Sequence, residues 1–236
     1  LADDPQAARA AVTKLVDVIA ALREHCPWMG ALTHESLVEY LIEEAYEVVE
    51  SIEAGNEDEL LGELGDVLLQ VVLHARLAEE HGRFNLDDVV RNLTAKMIRR
   101  NPHVFKPDGT LQESFPATVD EIVQRWDAVK RAERPGRTDA FEGIPASLPA
   151  LARAQKSLDR AERAGIVVER AVSTGASGPE QTQRRQARSP ELPATEEELG
   201  DFLLAVVASA RERGFDAERA LRGAITRFQQ GHPSPT

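Results

Sequence analysis

At 236 residues the chain holds one large or two small domains, and its net charge of −12 argues against general binding to nucleic-acid backbone, which needs clustered Lys and Arg. Apolar residues make up 42% and aromatics only 5%, an Ala-, Leu- and Val-rich mixture that favours helices over sheets. The single cysteine, Cys26, excludes an internal disulfide and fits a reducing cytoplasm; no apolar run reaches the roughly 20 residues that span a bilayer. The acidic opening LADDPQAARA lacks the basic segment of a signal peptide, and the missing initiator Met is what a fragment would show.

Residues 9 to 25 place Val12, Leu15, Val16, Ile19, Ala20 and Leu22 at helical spacing. CPWMGALT, with Pro27 and Gly30, reads as a loop. Thr33 is placed to cap a helix from about His34 to Ala54, and Gly55-Asn56 supplies a turn. The next helix runs from near Glu57 to about His81 and is ended by Gly82. Asn85 and Asp88 have capping-box spacing for a helix that reaches Arg100 and stops before Pro102. Residues 103 to 118 read as loop, Val119 to Arg134 as a helix carrying Trp126, Pro135 to Pro149 as linker, and Leu151 to Ala164 as helix. The stretch 171 to 195 is rich in Ser, Gly, Pro, Gln and Arg, the composition of a flexible segment. A last helical pair spans about Glu196 to Arg213 and Ala217 to Gln229, before a mobile tail, GHPSPT. No segment has a strand signature, so the fold class is all-α. One internal echo stands out: ELGDVLLQVVLHAR from Glu63 resembles ELGDFLLAVVASAR from Glu198, which suggests a duplicated helical unit.

Glu43, Glu44 and Glu47 project from neighbouring positions on one helix, and Glu63 and Asp66 are three apart on the next. The Gly55-Asn56 turn lies near the midpoint between the two groups. A hairpin therefore brings both to the same level, roughly 10–12 Å from the bend at about 1.5 Å per residue. Residues 60 to 75 are apolar almost all round except for one stripe, Glu63, Asp66, Gln70 and His74; a helix with that pattern is expected to be buried. Buried ionised carboxylates are costly unless paired or metal-bound. Convergent carboxylates without His or Cys partners suit magnesium or manganese better than zinc. His74 reads as a histidine behind the site or in the core, and His103 as structural. Cys26 and Trp28 read as a hydrophobic plug.

EEAYE followed by ELGD resembles the EExxE and ExxD boxes of the all-α nucleoside triphosphate pyrophosphohydrolases of the MazG type. CPW, THESL, YLIEEAYEV, GELGDVLLQVVLHA, GRF, KMIRRNPHVF, W-D-x-x-K and GIPASLPALARAQK resemble MazG segments in the same order. The likeness covers roughly residues 10 to 165 and, more loosely, 196 to 230. It implies a four-helix-bundle-like unit that hydrolyses a nucleoside triphosphate to monophosphate and pyrophosphate with Mg2+ (or Mn2+). It also implies a homodimer or higher homo-oligomer and a house-cleaning role with broad base specificity. Neither a membrane nor a stable nucleic-acid partner is expected. Carried onto this chain, the metal ligands are Glu44, Glu47, Glu63 and Asp66. Glu43 is a candidate for a second metal or for orienting water. Lys96 and Arg100, one turn apart, face the phosphates, with Arg99 beside them and Trp126 and Lys130 on one face of a later helix.

The chain departs from the family pattern in two places. Met29 stands where an acidic residue usually follows CPW, and Leu32 where a Gln usually precedes THESL; these bear on base preference. In the C-terminal echo Glu198 and Asp201 keep ExxD, but no EExxE precedes them, and Gly231 falls where Arg100 would lie. The expected organisation is a catalytic domain at 1–134, a linker and helix at 135–165, a flexible segment at 166–195, and a degenerate repeat without catalytic metal at 196–236. Two other readings stand beside this one: a pyrophosphatase for one nucleotide such as dUTP, and a non-catalytic helical assembly module.

Overall fold

The computed structural model describes residues 5–115, 118–133, 139–166 and 193–231. Most of the stretch expected to be flexible, the tail beyond Gly231 and the Lys130 side chain lie outside the described residues. The chain forms two compact units, Leu1–Glu133 and Arg134–Thr236. The described residues of the first contain α1 (Pro5–His25), α2 (Pro27–Ala31), α3 (Val38–Ala54), α4 (Glu57–Glu80), α5 (Leu86–Arg100) and α6 (Val119–Ala132). Those of the second contain α7 (Ala150–Arg163), α8 (Glu196–Glu212) and α9 (Ala217–Gly231). The only β pairing among the described residues is an isolated antiparallel bridge, Phe105 to Leu111, in the segment read as loop. The fold is all-α, as the composition and periodicity indicate. No described helix is long and apolar enough to cross a membrane.

In the first unit α4 is the hub, with α1, α3 and α5 all packed on it. The α3–α4 hairpin turns where the sequence places the turn. Gly55 takes φ 69°, and its N–H reaches the Ile52 carbonyl. That left-handed conformation strains any residue with a Cβ. Asn56 then caps α4 by accepting from the Glu59 N–H. The Asn85–Asp88 capping box forms in full at the start of α5.

Two local expectations are corrected. CPWMGALT is not all loop: Pro27 sits in the first helical positions and α2 forms behind it. Residue His34 does not begin α3, which starts at Val38. Thr33 and Ser36 exchange side-chain and backbone hydrogen bonds, which closes a turn before the helix. The plug reading holds for Cys26, which packs on the core, but not for Trp28, which is 63% exposed. Met29 fills that place instead, because the α2 turn points it inward beside Ile19, Leu37, Val72, Leu73 and Leu77. Both departures from the family pattern are thus apolar packing, since Leu32 also lies against this cluster.

The core gathers on the C-terminal half of α4. On its N-terminal half Leu61 is 76% exposed, and Leu64 and Leu68 are exposed as well. The buried helix expected from the apolar wheel is therefore only half realised: Gln70 is buried, Glu63 and His74 are half-buried, and Asp66 is exposed. A single hairpin has too few neighbours to cover both halves.

One side chain ties the core end together. Arg23, only 8% exposed, forms an ion pair with Glu80 at 2.6 Å and donates to the carbonyls of Met29 and Leu32. It joins α1, the α2 turn and α4, and Arg76 shares Glu80. Arg23→Ala leaves two carbonyls without their donor and Glu80 with Arg76 alone, and urea denaturation should show a loss of about 2–3 kcal/mol.

Candidate metal and phosphate site

The α3–α4 hairpin brings one carboxylate oxygen each of Glu44, Glu63 and Asp66 within 4.8 Å of one another. Glu47 lies in side-chain hydrogen-bonding reach of both Glu44 and Glu63. Glu43 is exposed on the same helix and outside this cluster. Partial burial, then the charges of Asp66, Glu47 and Glu63, push the Glu44 carboxyl above its usual range. Glu63 is raised in the same way, by desolvation first and then by Glu47 and Asp66. Two like-charged neighbours with raised pKa values are a site that wants a counter-charge. The donors are all oxygen, with no His or Cys, the set a hard divalent cation such as magnesium takes. The residues present fit such an ion.

The linkage sign follows. Raised carboxyl pKa values mean that the folded, metal-free protein binds protons more tightly than the unfolded chain. Its stability therefore falls as pH rises through the ordinary Glu value of 4.5 and above. A bound cation reverses this by favouring the ionised forms. Asp66→Asn removes one of the repelling charges. Melting in excess chelator at pH 7 should show Tm raised by about 1–3 °C, with the gain fading toward pH 4; a lower Tm would contradict the repulsion.

The polar stripe of α4 continues past the carboxylates. Gln70 Oε1 and His74 Nε2 are buried without hydrogen-bond partners. His74 Nδ1 meets His34 Nδ1 at 2.8 Å, the rings stacked with centroids 5.1 Å apart. Burial, and then the charge of His34, lowers the His74 pKa. His103 is buried.

Asp66 and Arg100 lie at matched depth on the two sides of the bend that follows α4, where Gly82 takes φ 66°. Lys96 is half-buried one turn earlier on α5. Arg100 is engaged with Glu133, its Nη2 donating to Oε2 at 2.6 Å, and Arg99 donates to the same carboxylate at 2.7 Å. The two guanidiniums hold the Glu133 carboxyl down at about 2. This pairing therefore supports the fold above the ordinary Glu range and is lost as pH falls toward 2. Arg100 also lies over the Trp126 ring, its Cζ 5.8 Å from the centroid. Neither His34 nor Glu133 stands out in the sequence as a site residue. His34 precedes its helix, and Glu133 reaches Arg100 only because α6 packs on α5.

In the second unit the ExxD echo serves another purpose. Glu198 accepts from the Ala194 N–H at 2.9 Å, and its own N–H is capped by Thr195. Thr195 thus caps α8, and the Glu198 carboxylate is tied to the backbone just before that cap. Among the described residues Glu198 and Asp201 join no cluster of three acidic or imidazole ligands.

The described residues define an all-α protein with an oxygen-only acidic cluster spanning an antiparallel hairpin. Residues 32–105 match the MazG nucleotide pyrophosphohydrolase domain. A nucleoside triphosphate pyrophosphohydrolase of Escherichia coli strain K12 is 36% identical over 231 residues, which is 93% of this chain and 84% of that protein. The nucleoside triphosphate pyrophosphohydrolase/pyrophosphatase MazG of Thermotoga maritima is 36% identical over 219 residues, 91% of this chain and 81% of that protein. An uncharacterized 26.1 kDa protein of Streptomyces cacaoi is 39% identical over 212 residues, 89% of this chain and 76% of that one. The chain belongs to the MazG family of nucleotide pyrophosphohydrolases.

Proposed function

We propose that this protein is a magnesium-dependent nucleoside triphosphate pyrophosphohydrolase, cleaving the α–β phosphoanhydride to give a nucleoside monophosphate and pyrophosphate. The observation that carries the reading is the convergence of Glu44, Glu63 and Asp66 across one hairpin, within the residues that match the MazG domain. A non-catalytic assembly module would gain nothing from three carboxylates whose repulsion strains its own hairpin.

In this reading Glu44, Glu47, Glu63 and Asp66 hold the cation. When bound, it neutralises phosphate charge and lowers the pKa of water. Glu43, exposed beside the cluster, orients the attacking water at the α-phosphorus. Lys96 and Arg100 stabilise the charge that develops on the departing pyrophosphate. The second unit contributes packing, because Glu198 is committed to its helix cap. The enzyme works in the cytoplasm, where a lone cysteine stays reduced.

Pyrophosphate release with magnesium is the deciding assay. Glu44→Ala and Asp66→Ala should each lower kcat by about 10³-fold or more with helicity unchanged, while Asp201→Ala keeps full activity. Full activity in Asp66→Ala would sink the assignment. With Met29 and Leu32 turned into the core, the loop before α3 offers no charged side chain at those positions to select a base. Base specificity is then broad: kcat/KM should vary by less than about tenfold across nucleotides, whereas a site that hydrogen-bonds one base discriminates by about 10⁴. A strong preference for dUTP would overturn this part alone.

A second copy covers the apolar faces that one chain leaves open, Leu61, Leu64 and Leu68 on α4 and Val38 and Ile42 on α3. Sedimentation equilibrium should give a homodimer or higher homo-oligomer for the parent and a lighter species for Leu64→Glu.

A further inference from the structure

Glu133 follows the last residue of α6, and its side chain is only 15% exposed. Its carboxylate accepts from Arg99 Nε at 2.7 Å. It also accepts from Arg100, whose Nη2 donates to Oε2 at 2.6 Å and whose Nε reaches Oε2 at 3.1 Å and Oε1 at 3.3 Å. A two-pronged guanidinium contact of this kind fits a carboxylate or a phosphate equally well. Among the described residues, the side-chain partners of Glu133 are these two arginines. An anion just beyond a helix C-terminus meets the negative end of the macrodipole, so α6 itself opposes the charge it carries. Among the described residues Arg99 and Arg100 are the only cations paired with it. The seat also keeps surplus positive charge: two guanidiniums face one carboxylate, and Lys96, one turn earlier, forms no ion pair among the described residues.

We infer that Glu133 is an internal stand-in for phosphate, filling the seat made by Arg99 and Arg100 in the substrate-free protein and yielding it when a substrate phosphate arrives. The inference rests on the assignment of Arg100 to the phosphates made above. An incoming anion must offer more charge or more oxygens than one carboxylate to take the seat. A triphosphate or pyrophosphate chain does so more readily than a monophosphate, so the exchange also favours substrate over the nucleoside monophosphate product.

Glu133→Gln keeps the shape of the side chain and removes its charge. With ATP and magnesium, its KM should fall by about 3- to 5-fold, the scale of a partly exposed ion pair, with kcat changed by less than about twofold. A raised KM would make Glu133 a positioning residue for Arg100, and an unchanged KM would place the pair outside the phosphate path; either overturns the inference. A second measurement needs no catalysis. The chain has two Trp residues, so Trp28→Phe leaves Trp126, the ring beneath Arg100, as the sole reporter. Tripolyphosphate added without metal should change Trp126 emission in this background, at about 3- to 5-fold lower concentration when Glu133→Gln is also present. No change in the Trp28→Phe protein would overturn the exchange, even if Glu133→Gln did not fold. If the parent hydrolysed no nucleotide, the proposed function would fail, and the Trp126 titration would still decide the exchange.

Discussion

Three carboxylates brought within 4.8 Å of one another repel, and the first unit is built to hold them there anyway. The cost shows in the Glu44 and Glu63 carboxyls, which burial first and then the neighbouring charges push above their usual range. It is borne by a hairpin whose two helices cannot slide apart. Gly55 and the Asn56 cap fix the bend at one end. At the other end the core cluster around Leu73 and Leu77 anchors the C-terminal half of α4, and Arg23 binds α1 and the α2 turn to it. The acidic cluster lies between these two supports. The scaffold thus keeps the three carboxylates close by itself, a strain that a bound cation would relieve.

The division of α4 follows from the same constraint. Its C-terminal half is covered by α1 and the residues before α3 and carries the buried apolar core residues Val72, Leu73 and Leu77. Its N-terminal half leaves Leu61, Leu64 and Leu68 uncovered. An arrangement of this kind gives a single chain a site but not a finished core. In the second unit the equivalent carboxylate, Glu198, is spent on a helix cap, and Arg211 pairs with Asp159 and Glu162.

On α5 the opposite problem arises, since Arg99 and Arg100 are adjacent like charges. Glu133 resolves it by accepting from both. Acidic and basic clusters are thus treated differently in the substrate-free protein. The acidic one keeps its carboxylates side by side, while the basic one carries an internal anion.

The sequence by itself determined the helical fold, the hairpin at Gly55-Asn56, the Asn85–Asp88 cap and the convergence of Glu44, Glu63 and Asp66. These depend on local spacing: helical periodicity, a turn residue with positive φ, and equal distances from a bend. It also carried enough family motifs to identify MazG. Tertiary structure alone decided what lies opposite each residue. The pairing of Arg100 with Glu133 and of His34 with His74 joins positions far apart in the chain, on elements whose relative placement no local pattern encodes. Burial of Met29 in place of Trp28 depended on α2 forming, a short helix that the loop-like composition of CPWMGALT conceals. The apolar wheel of α4 suggested burial along its length, but periodicity reports what a helix can bury, and only neighbouring elements decide what it does bury.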